Sequence, residues 1–325
     1  MENSTVKNYL LKQLSTNYGE YISGSDITEK LGVSRNAVSK AAIALAEDGY
    51  AVSARTKMGY RLDRSNMLSS PYCIENHLKT DGIRVRFEKS VDSTNSVLKA
   101  AAEDGEEEGL LLVANEQTGG RGRLGRDFFS PPGTGLYMSI LLRPTLLFGE
   151  APLITTCAAV AVAEALEEIS GKKAAIKWVN DVLIGGRKVC GILTEASLDM
   201  ERGAVLWAVL GIGINLFPPM EGFGPLSSTA GSVIQVYDCG GELKDRLAAS
   251  ICDRFFNYYR ALPEKRHLDE YRRRSVLTGR EVTVLSKDEK KHAVVLGIDD
   301  DFRIMVKYPD GTEEKLSSGE VSVKL

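Results

Sequence analysis

Residues 120–133, GRGRLGRDFFSPPG, contain a literal G-x-G-x-x-G at Gly120, Gly122 and Gly125. In a dinucleotide-binding unit that pattern opens a helix whose N-terminus faces a pyrophosphate. Pro131, Pro132 and Gly133 follow here and prevent a helix from starting, which argues against the dinucleotide reading. No Gly-Lys-Ser/Thr follows, so it is not a Walker loop either. What distinguishes the segment is Arg121, Arg123 and Arg126, set between glycines that let backbone amides approach an anion. Like charges repel and glycine backbone has much entropy to lose, so the empty loop is expected to be mobile and to close over a phosphate that supplies the counter-charge. The plainer alternative is a solvated basic turn.

Four short segments stand with this loop. VDSTNSVLK (91–99) places Ser93, Thr94 and Asn95 at a helix start, where hydroxyl and amide groups bond backbone amides or a small polar ligand. ANEQTGG puts Gln117 just before the basic loop. IKWVNDVLIGGRKVCGIL holds Lys177, Asn180, Asp181 and Lys188 around a turn, with Gly191 beyond it. VLGIGINL brings Gly211, Gly213 and Asn215 to the end of an apolar strand.

The length of 325 residues suits two or three domains, and 43% hydrophobic with 26% charged residues is a globular composition. The texture divides the chain at 1–65, 66–82, 83–272 and 273–325. The third region mixes strand-like runs (GLLLVANEQ, TGLYMSILLRP) with helical ones (LITTCAAVAVAEALEEISG, LKDRLAASICDRFFNYYRAL) and reads as a mixed α/β core. The last region has short strands between turns and predicts a small β-barrel. No apolar run reaches the roughly 20 residues of a membrane span, and no secretory signal is seen. Cys73, Cys157, Cys190, Cys239 and Cys252 form no CxxC pair, which suits a reducing cytoplasm. None of the three histidines lies in these motifs, so neither a histidine base nor a Ser-His-Asp hydrolase is expected.

The net charge of -3 gives no global attraction to nucleic acid, so DNA binding needs a local patch. GSDITEKLGVSRNAVSKAAIALAEDGY (24–50) has the cadence of a helix-turn-helix: Ser25 or Asp26 as a cap, Gly32 at the turn, Ser34 as the next cap, and Val38, Ala41, Ala42 and Leu45 as a buried stripe. The other face offers Ser34, Arg35, Asn36, Ser39 and Lys40 to base edges and phosphates. AVSARTKMGYRL alternates like a hairpin and adds Arg55 and Lys57 as a wing. The segment resembles a winged helix-turn-helix; a helical docking module with solvated basic residues is the alternative. One such unit covers half a site, which implies a dimer on a two-fold operator.

GRGRLGR, KWVND and GIGIN, in this order and with the N-terminal region before them, resemble the biotin protein ligases, and among them the bifunctional ligases that also repress the bacterial biotin operon. Val179 stands where that family usually has proline, and Phe128 and Phe129 where tryptophan is common. The resemblance implies an α+β architecture: an N-terminal winged helix-turn-helix, a central mixed α/β ligase domain and a small SH3-like C-terminal barrel. It implies two steps. The carboxylate of biotin attacks the α-phosphate of ATP, giving biotinyl-5'-AMP and pyrophosphate, and a lysine of the biotin carrier protein of acetyl-CoA carboxylase then takes the biotinyl group. Arg121, Arg123 and Lys188, with Mg²⁺ on the phosphates, would offset the repulsion of two anions. Ser93, Thr94, Asn95 and Gln117 would hold the ureido ring, with Gly122, Gly191 and Gly213 lining the pocket. Arg126, Phe128, Lys177, Asn180 and Asn215 would contact the nucleotide. Asn180 and Asp181 stay open among ribose, metal and acceptor-lysine contacts, with deprotonation of the incoming lysine a further role for Asp181. Biotinyl-5'-AMP would act as corepressor by promoting a homodimer on operator DNA of biotin genes. A sensor without chemistry and a lipoate ligase are the competing readings.

Overall fold

The computed structural model describes residues 3–235, 240–285, 290–317 and 320–322. The stripe Val38, Ala41, Ala42 and Leu45 recurs every three or four residues, and the segment that carries it is helix α3 (Arg35–Glu47) with all four side chains buried. They pack with Val6, Leu10 and Leu14 of α1 (Asn3–Thr16) and Ile27 of α2 (Gly24–Leu31). Ser34 caps α3 by accepting from the Ala37 N–H at 3.2 Å, and Gly32 ends α2 at φ 64°. The cap of α2 is Ser23, not Ser25 or Asp26: its Oγ accepts from the Ser25 N–H, two residues before the first of the caps the sequence suggested. Strands β1 (Val52–Arg55) and β2 (Gly59–Leu62) pair as the expected antiparallel wing.

The linker does not swing free. Residues 66–70, followed by the short helix α4 (Pro71–His77), dock on α7 (Gly240–Tyr259). The Asn66 carbonyl accepts from the Gly241 N–H at 2.6 Å, the Lys244 ammonium donates to the Met67 carbonyl, and the Ser70 N–H donates to the Asp245 carboxylate at 3.0 Å. A Cβ at Gly241 would lie 2.4 Å from the Leu68 carbonyl oxygen, so only glycine admits this approach. Burial pushes the Asp245 carboxyl up and the Lys244 ammonium down.

The central sheet has seven strands: β3 (Arg84–Glu88), β4 (Leu110–Ala114), β5 (Gly135–Leu142), β6 (Ala174–Lys177), β7 (Asp181–Ile184), β8 (Arg187–Asp199) and β9 (Ala204–Asn215). Their spatial order is β3-β4-β5-β9-β8-β7-β6, with only β3–β4 parallel. Helix α6 (Pro152–Ser170), apolar on nearly every side, lies between the sheet and α7, a position its composition requires. Helix α5 (Thr94–Glu103) covers the opposite face through Leu98 and Ala102 on Leu112, Leu141 and Val209.

The C-terminal strands β10 (Glu281–Leu285), β11 (Lys290–Ile298), β12 (Ile304–Lys307), β13 (Glu313–Leu316) and β14 (Glu320–Ser322) form an antiparallel sheet of order β13-β12-β11-β10-β14. No pairing closes β13 onto β14 among the described residues, so the expected barrel is a five-stranded open sheet here. Cys73, Cys157, Cys190 and Cys252 are buried free thiols, and Cys239 lies outside the described residues. No helix among the described residues is long and apolar enough to cross a membrane.

His267, just before α8 (Leu268–Arg274), helps join the sheet domain to the C-terminal sheet. Its ring is fully buried and stacks on Phe302 at 4.6 Å, with Nε2 3.0 Å from the Thr156 hydroxyl. Thr156 donates its own hydrogen to the Leu153 carbonyl, so His267 must donate from Nε2 and keep a lone pair on the unpartnered Nδ1. Burial and the nearby Lys265 charge lower its pKa to about 4. A base held neutral stabilises the fold above its unfolded pKa of about 6.5, and that contribution is lost as pH falls towards 4. The wild type is therefore expected to lose about 2 kcal/mol more than His267→Gln between pH 7 and pH 5. Urea unfolding midpoints of both proteins at the two pH values check this.

Candidate active site

The basic loop is a tight turn, not a helix start. Only Arg123–Gly125 make a single 3-10 turn, with Leu124 at φ 57°. The Gly122 N–H donates to the Arg126 carbonyl and the Phe128 N–H to the Gly120 carbonyl at 2.8 Å, which folds the chain back on itself. A Cβ at Gly120 would sit 2.4 Å from that Phe128 carbonyl, so this position tolerates no side chain. The turn delivers Arg121, Arg123 and Arg126 to one wall of a cavity of about 310 Å³.

The opposite wall is the hairpin of β7 and β8. Lys188 extends its ammonium to 2.7 Å from the Asp181 carboxylate across that hairpin. Asn180 is pinned at the turn: its amide donates to the Ile192 carbonyl at 2.8 Å, while its Oδ1 accepts from Arg123 Nη1 at 3.2 Å and so ties the loop to the hairpin. The Trp178–Val179 peptide is cis. The turn is held from behind, as Trp178 donates its indole N–H to the Phe302 carbonyl and Tyr271 of α8 its hydroxyl to the Val179 carbonyl.

The floor is glycine. Gly191 of β8 pairs directly with Gly213 of β9, and the Phe128 ring lies over both. A Cβ at Gly213 would meet that ring at 2.5 Å, and one at Gly191 would meet the ring and Lys188 at 3.2 Å. The far end is neutral and polar. Gln117 Oε1 accepts from the Thr94 N–H at 2.9 Å and lies 3.1 Å from the Thr94 hydroxyl, and Gln117 Nε2 donates to Ser130. Ser93, Thr94 and Asn95 are buried at the start of α5, where Ser93 is the N-cap position without bonding the helix by its side chain.

One cavity thus brings together Ser93, Thr94, Asn95, Gln117, Arg121, Gly122, Arg123, Arg126, Phe128, Lys177, Asn180, Asp181, Lys188, Gly191 and Gly213. Asn215 is not in its lining: it closes β9 opposite Gly135, and its carbonyl accepts from the Val233 N–H. The sequence reading missed Asp127, Met138, Trp178, Ile192, Leu193, Ile212 and Leu285, which also line it. Ile192 and Ile212 follow from continuing each strand one residue past a chosen glycine. Leu285 comes from β10, so the C-terminal sheet reaches the pocket, and no local pattern announces that. Among the described residues no group of three or more His, Cys, Asp or Glu could hold a metal. The arrangement combines a cationic end suited to phosphates with a neutral end of matched donors and acceptors.

In the N-terminal domain Ser34, Arg35, Asn36 and Lys40 are exposed on the first turns of α3, with Ser39 half-buried beside them. Arg55 and Lys57 are exposed on the wing, where Lys57 adopts φ 66° at the tip. Arg61, by contrast, is held by Asp63 and lies over the Tyr21 ring.

Residues 87–215 match the model of the Biotin/lipoate A/B protein ligase family, residues 6–61 that of an HTH domain, and residues 277–324 that of the biotin protein ligase C terminal domain. A bifunctional ligase/repressor BirA of Bacillus spizizenii is 38% identical over 246 residues, covering 75% of this chain and 74% of the relative. That of Bacillus subtilis is 40% identical over 66% of each chain, and that of Escherichia coli 34% identical over 66% of this chain and 65% of its own. Among solved structures, the biotin protein ligase of Aquifex aeolicus in complex with biotin and ATP superposes with a TM-score of 0.59 at 29% identity, covering 73% of this chain and 97% of that one. The chain belongs to the biotin protein ligases of the bifunctional ligase/repressor BirA type.

Proposed function

We propose that this protein joins biotin to ATP as biotinyl-5'-AMP, passes the biotinyl group to a lysine of a biotin carrier domain of acetyl-CoA carboxylase, and represses biotin genes. The observation that carries this reading is the meeting, in one cavity, of Arg121, Arg123 and Lys188 with the neutral cluster Ser93, Thr94, Asn95 and Gln117. A carboxylate attacking a phosphate must overcome the repulsion of two anions, and guanidinium and ammonium groups fixed around the reaction point offset that repulsion as charge builds. The neutral end holds the uncharged ureido ring and so presents the carboxylate in line. The α-phosphate oxygens take the Arg121, Arg123 and Lys188 donors, and Phe128 offers its ring to the adenine. In the second step the amine of the acceptor lysine attacks the acyl carbon, AMP leaves with the bond electrons, and Asp181 takes the amine proton. Arg126, Lys177 and Asn180 belong to the nucleotide side of the cavity.

With no acidic cluster among the described residues, magnesium is expected to arrive on the ATP phosphates, with Asp181 near them. Domain limits at 65, 82 and 272 belong to this reading, supported by the three separate family matches. A cytoplasmic site follows from a DNA-reading module and buried reduced thiols. A homodimer is required because a single α3 reads one half-site. The C-terminal sheet belongs to the ligand site through Leu285 at the end of β10.

Three outcomes are expected. Arg121→Ala and Lys188→Ala each lower the rate of biotin-dependent pyrophosphate release by about 100-fold or more, with the fold retained. An unchanged rate in both, or equal activity with lipoate in place of biotin, refutes this assignment of the cavity. Mass spectrometry of a carrier domain incubated with enzyme, ATP and biotin should show the biotinyl adduct. On operator DNA, Arg55→Ala or Lys57→Ala weakens binding across sequences and reduces the salt slope by about 1. Gel shifts at several salt concentrations, with and without biotin plus ATP, read this.

A further inference from the structure

Behind the neutral end of the cavity lies an ion pair that does not line it. Lys99, one turn after Asn95 on α5, places its ammonium 2.7 Å from Oε1 of Glu195 on β8, and both side chains are about three-tenths exposed. The other oxygen of Glu195 accepts from Asn95 Nδ2 at 2.8 Å, and the same nitrogen donates its second hydrogen to the Leu193 carbonyl at 3.2 Å. Asn95 Oδ1 in turn lies 2.7 Å from Ser139 Oγ, and Ser139 Oγ lies 2.7 Å from Thr94 Oγ1. Ser139 is fully buried, and Thr94 and Asn95 nearly so. A Cβ at Gly211 would fall 2.2 Å from Asn95 Oδ1, so the strand is shaped to seat this amide. Burial would raise the Glu195 carboxyl, but the hydrogen bonds from Lys99 and Asn95 and the charges of Lys99 and Arg121 hold it below the usual range.

Counting hydrogens fixes the direction of this chain. Two hydroxyl hydrogens, those of Thr94 and Ser139, serve three oxygen–oxygen contacts, and the two ends, Gln117 Oε1 and Asn95 Oδ1, only accept. Gln117 Oε1 already receives the Thr94 N–H. It also receives the Thr94 hydroxyl hydrogen, and the single Ser139 hydrogen lies between Thr94 Oγ1 and Asn95 Oδ1. Its hydrogen committed to Gln117, the Thr94 hydroxyl offers the cavity a lone pair only. The whole order depends on which way the Asn95 amide lies, and the Glu195 carboxylate, an acceptor alone, dictates that.

We propose that Glu195, steadied by Lys99, is a positioning residue for biotin recognition: it fixes which way the Asn95 amide lies at the neutral end of the cavity, and through Ser139 how the Thr94 hydroxyl is seated there. This rests on the reading of the neutral end as the ureido site. Replacing Glu195 by glutamine supplies a donor as well as an acceptor and lets the Asn95 amide turn over, which unseats the amide that Ser139 and the neutral end rest on.

The test is steady-state biotin- and ATP-dependent pyrophosphate release by the full chain. Glu195→Gln is expected to raise the KM for biotin about tenfold or more, leaving the KM for ATP and kcat within about twofold. Lys99→Met raises the biotin KM by a smaller factor, and Lys99→Arg restores it. An unaltered biotin KM in Glu195→Gln overturns the inference, as does a joint shift of both KM values and kcat with a lowered melting temperature. Should Glu195→Gln fail to fold, the Lys99 pair decides: equal biotin KM values in Lys99→Met and Lys99→Arg overturn it. A wild-type protein that releases no pyrophosphate refutes the ligase reading instead, so the two failures are told apart.

Discussion

The direct pairing of Gly191 with Gly213 across the two long central strands is the constraint on which the site depends. Two residues without side chains, facing one another in the middle of a sheet, leave a gap that the Phe128 ring covers. That ring belongs to the arginine loop, so the depth of the gap sets how close the loop comes to the sheet. A methyl group at either glycine would lift the ring and, with it, the cations that the loop carries. Position in this pocket is therefore dictated by backbone, and the charged groups are placed by what they rest on.

The remaining walls extend the same logic. Asn180 bridges the hairpin and the loop, while Trp178 and the carbonyl of Val179 are held from the C-terminal side by Phe302 and Tyr271. The turn that carries Asn180 and Asp181 is thus braced by residues some 90 to 125 positions later in the chain. The lysine that reaches into the cavity, Lys188, is held in place by its ion pair with Asp181.

Much of this was legible in the sequence. The prolines after GRGRLGR correctly excluded a helix, the stripe from Val38 to Leu45 gave α3, and fifteen of the sixteen residues assigned to ligand or catalysis line one cavity. Each of those signals is local: a spacing, a breaker, a run of chemistry-bearing residues. Asn215 is not among the lining residues: it ends β9, where its carbonyl accepts from the Val233 N–H. Leu285 and the Lys99–Glu195 pair escaped notice because only the folded sheet makes them neighbours. Ser139 could have been found, as the one serine in the largely apolar run LYMSILL that forms a wholly buried strand. The cap of α2 lies two residues earlier than expected: Ser23 and Ser25 are both competent, and it is Ser23 Oγ that accepts a helix N–H.

The docking of residues 66–70 on α7 carries a geometric consequence. A tethered DNA reader on a slack leash could accommodate half-sites at many separations, and its partner's distance would be set by chain reach. Here Asn66, Met67 and Ser70 are bonded to Gly241, Lys244 and Asp245, so the N-terminal helices are fastened to the sheet domain rather than strung from it. In any two-fold assembly of this chain, the interval between the two recognition helices is then a ruler cut by the sheet domains, and the operator must match it.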